Sequence, residues 1–222
     1  MAQPSYAPEL NITGIAVGGF VSRPDKILAA LNGGPFAGFL PSTLPGIIRG
    51  NPIIKPSFKK HLTPAGRRLL ASGDSRCVVS NLALYPLLNM NRYLTIPYSR
   101  LLALPPVEKG LKAMALRRGT PMAPVLVYQA VLDELVPEAD AAETVAKWCK
   151  RGARVKYVRD LVSDHVSLAL TGAPLALQWL NARLGGERVG VGCSTTTTLS
   201  TLLIPGVSTT SPGSSKPSFP RH

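Results

Sequence analysis

Apolar residues follow two different patterns along this chain of 222 residues. After Thr120, apolar runs suited to buried strands alternate with segments whose apolar residues recur at helical spacing. Strands are predicted at "APVLVYQAV" (123–131) and "RVKYVRDL" (154–161), and helices at "ADAAETVAKWCKRG" (139–152) and "APLALQWLNARLGG" (173–186). This strand–helix–strand–helix order predicts a parallel sheet with helical crossovers, and therefore an α/β fold.

The earlier part of the chain is patterned differently. The segment "ELNITGIAVGG" predicts a short buried strand from Leu10 to Val17 that runs into a Gly-Gly loop. From Asp25 to Leu116, short amphipathic segments alternate with Pro- and Gly-containing breaks, among them "PSTLPG" (41–46) and "NPIIKP" (51–56). These features predict a helical insertion between the first strand and the later α/β part. The Ser- and Pro-rich end from Ser208 is typical of a disordered tail.

Two residues with catalytic chemistry follow the predicted strands. Asp133 comes just after the strand 124–131, and His165 lies in the loop after the strand 154–161. Because one crossover helix separates them, both are expected at the carboxyl edge of the sheet, where functional residues of parallel α/β proteins collect. A carboxylate placed there can accept the Nδ1 hydrogen of an imidazole and fix its tautomer. Taken singly, Asp133 could instead cap a turn or helix, and His165 could be a surface histidine.

The charge is strongly basic and unevenly distributed. Lys and Arg number 25 against 12 Asp and Glu, which gives a net charge of +13. The stretch from Arg49 to Arg118 contains 13 basic residues and only two acidic ones, Asp74 and Glu108. Such a stretch favours anionic partners, whether nucleic acid, acidic lipid headgroups or fatty-acid carboxylates, although a solvated basic face explains it equally well. Its many Leu, Pro and Ile residues are unlike those of a nucleic-acid-binding arm.

The three cysteines, Cys77, Cys149 and Cys193, are spaced unlike the paired ligands of a zinc site. Either all three are free thiols, or two form a disulfide and one is left over. No run of 18 apolar residues predicts a membrane span, and the first residues do not have the pattern of a signal peptide.

Several stretches resemble, in the same order, the fungal secretory lipase family. They are "SYAPELNITGIAVGG" (5–19), "LNGGPFAGF" (31–39) and the run from "MAPVLVYQAV" to "LNARLGG" (122–186). The likeness extends over roughly residues 5–206. It implies an incomplete α/β-hydrolase fold, the C-terminal strands and helices of the parallel sheet, with a helical cap inserted.

The resemblance also implies a domain plan and a set of roles. Residues 1–31 would hold a sheet strand and loop of the core, 32–118 the helical cap over an acyl-binding pocket, 119–206 the C-terminal part of the core, and 207–222 a disordered tail. Asp133 would be the acid and His165 the base of a catalytic triad. Cys149 and Cys193 would form the family disulfide, and Cys77 would have had its partner further upstream.

One departure from the family concerns the nucleophile. No Gly-x-Ser-x-Gly sequence occurs in the chain, and "GGFVS" (18–22) and "GVGCS" (190–194) are its nearest approaches. The chain is therefore expected to begin after the nucleophilic serine and the oxyanion-hole donors of the family, and to be inactive by itself.

The resulting hypothesis is a lipase-type carboxylic ester hydrolase that acts on a lipid or fatty-acyl ester and can work at a lipid–water interface. It needs no metal or organic cofactor, has no transmembrane segment, and by its family is secreted. The alternative is a non-catalytic lipid- or protein-binding remnant of a lipase. A nucleic-acid-binding protein is a third interpretation, but the chain has no recognition motif, so no specific nucleic acid is expected.

Overall fold

The computed structural model describes residues 3–116 and 119–207. These residues divide into two compact units, an α/β unit formed by residues 3–20 and 119–207, and a helical unit formed by residues 21–116. The helices are α1 (Gln3–Tyr6), α2 (Pro24–Leu31), α3 (Phe39–Gly50), α4 (Lys55–His61), α5 (Pro64–Asp74), α6 (Val78–Leu84), α7 (Tyr98–Leu102), α8 (Pro105–Met114), α9 (Glu138–Lys150), α10 (His165–Thr171) and α11 (Ala173–Leu184). Short 3₁₀ helices cover Met90–Tyr93 and Thr201–Leu203.

The α/β unit is built on a four-stranded sheet whose neighbouring strands are all parallel. Its strands, in spatial order, are β1 (Ile15–Gly18), β2 (Val125–Ala130), β3 (Val155–Asp160) and β4 (Cys193–Thr198). α9 connects β2 to β3, and α10 and α11 connect β3 to β4. The predicted parallel sheet with helical crossovers is therefore confirmed.

Both faces of the sheet are covered, which explains why its central strands are continuous apolar runs. Alternate residues of β2 point to opposite faces. Val125 and Val127 pack with Trp148 of α9 and with Phe20, while Leu126 packs on the other face with Trp179 of α11. The rings of Phe20 and Trp148 lie 5.2 Å apart between centroids. This double burial holds the ends of the strands in fixed positions, and the candidate site is built on those ends.

β1 is shorter than the predicted strand from Leu10 to Val17, since the ladder begins only at Ile15. The N–H of Ile15 donates to the carbonyl oxygen of Pro124 at 2.9 Å. In the same register, the preceding hydrogen bond of the ladder would run from the nitrogen of Pro124 to the carbonyl oxygen of Thr13. This bond cannot form, because proline has no N–H. Leu10 is accordingly 56% exposed rather than buried.

β4 was not predicted, because its sequence, "CSTTTT", is polar and the strand is exposed almost throughout. Its first residue, Cys193, forms a disulfide with Cys149 of α9, with the two Cα atoms 5.9 Å apart. Cys77 is exposed and lies outside this bond. In the described part of the chain, no group of three or more His, Cys, Asp or Glu side chains is placed to hold a metal ion.

The helical unit corrects one predicted break. "PSTLPG" lies inside α3, which continues from Phe39 to Gly50 with Pro45 in its interior. Pro45 costs one backbone hydrogen bond, but the helix buries Leu40 and Leu44 completely. Gly73 of α5 permits close packing on the same helix, since a Cβ there would stand 2.4 Å from Cβ of Pro41. Burial thus outweighs the local preference against helix.

Val207, the last described residue, is buried in the cluster around Trp179. The residues predicted as a disordered tail from 208 onward lie outside the described part of the chain. Within the described ranges, no helix is both long enough and apolar enough to span a bilayer.

Candidate active site

Asp133 and His165 lie side by side at the carboxyl edge of the sheet. Asp133 stands three residues beyond the end of β2, and His165 begins α10, five residues beyond the end of β3. Nδ1 of His165 is 2.9 Å from Oδ2 and 3.0 Å from Oδ1 of Asp133. The side chain of Asp133 is fully buried, whereas that of His165 is 26% exposed. A buried acid therefore holds a histidine that is still partly open to solvent.

The sequence analysis placed His165 in a loop. In the structure it is instead the first residue of helix α10. Asp164 caps this helix: its Oδ1 accepts the N–H of Ser167 at 2.7 Å, and its own N–H donates to Oγ of Ser167 at 2.9 Å. This reciprocal pair fixes where α10 begins. The N–H of His165 donates to Oε2 of Glu134 at 3.0 Å. The backbone of the histidine is therefore anchored from two sides.

The oxygens of Asp133 accept hydrogen bonds from three amide N–H groups. Its Oδ1 accepts the N–H groups of Leu135 at 3.0 Å and Val136 at 2.7 Å, and its Oδ2 accepts Nε2 of Gln129 at 2.7 Å. Asp133 thus caps a turn, as the alternative interpretation held, and also binds His165. Because the three amide partners all supply hydrogens, the oxygens of Asp133 act as acceptors, and Nδ1 of His165 is then the donor in the contact between the two side chains. Nε2 makes no hydrogen bond within the described residues, so it can accept a proton.

The pKa of His165 is raised from its ordinary value. The hydrogen bond to Asp133 is the main cause, partial burial opposes it, and the negative charges of Asp133, Glu134 and Asp164 add to the increase. The folded chain thus stabilises the protonated imidazole of His165. An imidazole that serves as a general base reaches this protonated state after it takes a proton.

We expect an NMR titration of the folded chain to give His165 a midpoint above that of a histidine in the unfolded chain, about 6.5. Because the pKa of His165 is raised in the folded chain, its pairing with Asp133 contributes to the free energy of unfolding. That contribution is complete below the unfolded pKa of His165 and is lost as the pH rises through the folded pKa. Asp133→Asn should lower the midpoint, since a neutral amide does not stabilise the imidazolium. A midpoint at or below 6.5 in the wild-type chain would show that the pair is not formed in solution.

Two consecutive glycines after β1 make room for the site. Gly19 has φ +55°, and a Cβ on it would lie 2.8 Å from Cε1 of His165. A Cβ on Gly18 would lie 2.1 Å from Cε2 of Tyr128. Sequence analysis had identified this pair only as a loop. Their role is to let the backbone pass directly beneath two aromatic rings, one of them the ring of His165.

A second buried carboxylate at this edge, Asp160, is structural. Its oxygens accept the N–H groups of Val162 at 3.1 Å, Ser163 at 2.9 Å and Thr201 at 2.7 Å. Burial by itself would raise the pKa of Asp160, but these hydrogen bonds outweigh it and the pKa is lowered. Asp160 therefore holds the loop that leads to His165, while Asp133 is the carboxylate that binds the imidazole.

Gln129 and Glu134 are the residues of this site that sequence analysis missed. Gln129 is completely buried in β2. A polar amide within the otherwise apolar run "VLVYQAV" was a detectable signal, because buried polar side chains are uncommon and need partners. Glu134 has no comparable signal, since an exposed acid in a loop is ordinary.

Comparison with solved structures defines the class of protein. The chain matches the X-ray structure of Candida antarctica lipase A with a TM-score of 0.81 and 27% identity, over 89% of this chain and 48% of that chain. The closed state of the same lipase gives a TM-score of 0.79 over 86% of this chain and 46% of that chain. The predicted α/β-hydrolase fold, present in part, is confirmed.

Sequence comparison then gives the family. The family described as secretory lipase matches residues 1–192, and the chain belongs to this family. Lipase A of Arthroderma benhamiae is 37% identical over 91% of this chain and 44% of its own length. Lipase 10 of Candida albicans is 32% identical over 94% of this chain and 47% of its own length. The chain thus spans about half the length of the curated relatives it matches.

Proposed function

We propose that this chain carries the acid and the base of a serine ester hydrolase that acts on fatty-acyl esters. The contact between Nδ1 of His165 and the buried carboxylate of Asp133 is the observation that supports it. A relative from Malassezia globosa, 31% identical over 85% of this chain, is named secreted triacylglycerol lipase, which favours a lipid ester as substrate. Secretion belongs to the same proposal, and the disulfide is suited to an oxidising compartment.

In this reaction Nε2 of His165 removes the proton of a serine hydroxyl as the serine oxygen attacks the ester carbonyl. The imidazolium, held by Asp133, then gives that proton to the departing alcohol, which leaves an acyl-serine. Water repeats the sequence: His165 takes its proton, the acid is released, and the serine recovers its hydrogen. The role predicted for residues 32–118, a helical cap over an acyl-binding pocket, is part of this proposal.

The serine is the part that these 222 residues do not offer in its usual form, because the sequence has no Gly-x-Ser-x-Gly. We therefore propose that the chain by itself does not turn over esters. The same fact favours a second candidate, a non-catalytic module that binds lipid or protein and retains the Asp–His pair as a relic.

A fluorophosphonate probe, which reacts with activated serines, distinguishes the two candidates when it is applied to the native protein and followed by intact mass and peptide mapping. The hydrolase predicts a native mass well above 23.5 kDa and a label on a serine within a Gly-x-Ser-x-Gly peptide outside the 222 residues. The separately expressed chain should remain unlabelled. An unlabelled native protein of 23.5 kDa would instead contradict the hydrolase and leave lipid or protein binding as the function to measure, and a label within the chain would contradict both.

A further inference from the structure

Gln129 connects three parts of the α/β unit through one buried amide. Its Oε1 accepts the N–H of Phe20 at 2.8 Å. Its Nε2 donates to Oδ2 of Asp133 at 2.7 Å and to the carbonyl oxygen of Val136 at 3.1 Å. The amide therefore joins the segment after β1 to both ends of the turn that Asp133 caps.

The partners leave the amide only one orientation. The backbone N–H of Phe20 can only donate, and the carbonyl of Val136 can only accept. The oxygen of Gln129 must consequently face Phe20, and its NH₂ group must face Val136 and Asp133. A hydrogen is thus delivered to Oδ2 of Asp133, on the same oxygen that lies 2.9 Å from Nδ1 of His165.

Phe20 directly follows Gly19, the residue beneath the ring of His165. Gln129 therefore links the backbone segment that passes close to Cε1 of His165 to the carboxyl group that contacts Nδ1. All three of its side-chain hydrogen-bonding partners lie in the α/β unit: Phe20 in the segment after β1, and Asp133 and Val136 in the turn after β2.

We propose that Gln129 is a positioning residue for the Asp133–His165 pair, acting as a one-way hydrogen-bond relay that keeps the carboxyl group of Asp133 turned toward the imidazole. Its importance for catalysis rests on the proposed function, in which this pair serves a nucleophilic serine. The relay itself is a property of the chain and can be measured without turnover.

The ionisable groups of the α/β unit around this amide are few and mostly acidic. They are Asp133 and Glu134 after β2, Asp160 at the end of β3, Asp164 and His165 at the start of α10, and Arg159, the register partner of Gln129 on β3, which Glu138 of α9 binds at 2.8 Å. A further negative charge at position 129 would therefore meet other carboxylates, which makes Gln129→Glu a sensitive probe.

The first test compares the pH dependence of the unfolding free energy of Gln129→Glu with that of the wild-type chain. The introduced carboxyl group, when protonated, has one hydrogen and can donate it to Asp133, while the hydrogen bond to the carbonyl of Val136 is lost. When ionised, it places two buried carboxylates face to face, so its pKa should be raised in the folded chain. The stabilisation is then complete below the unfolded pKa of about 4.3 and is lost as the pH rises through the folded value. The unfolding free energy of the variant should thus lie closest to that of wild type near pH 4 and fall progressively further below it toward pH 8. A difference that stays constant with pH would overturn the relay.

The second test measures how fast the Nδ1 hydrogen of His165 exchanges with water, by NMR at a pH where the pair is formed. Gln129→Leu removes the amide, and this exchange should accelerate because the turn of Asp133 and the segment after β1 are no longer joined. Thr144→Val is the matched control: it removes one buried hydrogen bond, from Thr144 Oγ1 to the carbonyl of Asp140 in α9, at a distance from the site. Equal exchange in both variants would assign Gln129 to packing alone and would overturn the proposal.

If Gln129→Leu does not fold, the comparison at low pH with Gln129→Glu still decides the question. These outcomes are also independent of the serine. The fluorophosphonate experiment can contradict the proposed function without contradicting the role of Gln129. Conversely, a difference in unfolding free energy between Gln129→Glu and wild type that does not change with pH contradicts the role of Gln129 even when the serine is labelled.

Discussion

Under the proposed function, replacing His165 by alanine is expected to lower ester turnover by about 10⁴- to 10⁶-fold, measured in the longer protein that the proposal requires to supply the nucleophile. Without the imidazole, no group takes the serine proton or returns it to the leaving alcohol. The loss should appear in kcat rather than in KM, because His165 acts on the reacting atoms and the bound substrate does not depend on it. Initial rates with a soluble short-chain ester measure both constants.

Asp133→Asn is expected to lower kcat by about 10⁴-fold, for a reason that the local hydrogen bonds make specific. The N–H groups of Leu135 and Val136 require an oxygen at the Oδ1 position, so the NH₂ of an asparagine would occupy the Oδ2 position. There it would face two donors, Nε2 of Gln129 and the Nδ1 hydrogen of His165. The imidazole would escape this conflict by carrying its hydrogen on Nε2, and Nε2 could then no longer accept a proton from serine.

Asp164→Asn is the matched control, because it removes a negative charge directly beside His165 while asparagine caps a helix as well as aspartate does. Its kcat should remain close to the wild-type value. The double variant Asp133→Asn/His165→Ala should be no slower than His165→Ala, since the two residues act as one unit. If Asp133→Asn retained kcat within tenfold of wild type, Asp133 would be a turn cap and not the triad acid.

The sequence was informative where burial repeats with a regular period. β2, β3, α9 and α11 were predicted because each has an apolar face that must be covered, and the crossover between the strands placed Asp133 and His165 at one edge. Chain order therefore predicted a shared edge for two residues that are 32 positions apart, and the structure places them in contact there.

The features that escaped prediction depend on partners rather than on local pattern. β4 is a polar edge strand, and its run of β-branched threonines was the only sign of it. Pro45 was interpreted as a break because its local preference is against helix, whereas the packing of α3 decides the outcome. The function of Gln129 required knowing that the N–H of Phe20 and the turn of Asp133 meet at one amide, which no periodicity encodes.

Removing the disulfide is expected to have the largest effect on stability. The bond from Cys149 to Cys193 closes a loop across a sequence separation of 44 residues. Restricting the unfolded chain over a loop of that size is worth roughly 4 kcal/mol, a large share of the 5–15 kcal/mol by which folded proteins are usually stable. The double variant Cys149→Ala/Cys193→Ala should therefore lose about that much free energy of unfolding, as measured by urea denaturation.

Cys77→Ala is the control, because Cys77 is exposed and its thiol lies outside the disulfide. It should leave the urea midpoint unchanged, and a reducing agent should affect the wild-type chain but not the double variant. Cys193 pairs with Val155 at the amino end of β3, whereas His165 follows the carboxyl end of that strand. The midpoint of the His165 titration should therefore survive in whatever fraction of the double variant remains folded. A double variant as stable as wild type would show that the covering of β3 by α9 and α11, and not the covalent link, holds this edge of the sheet.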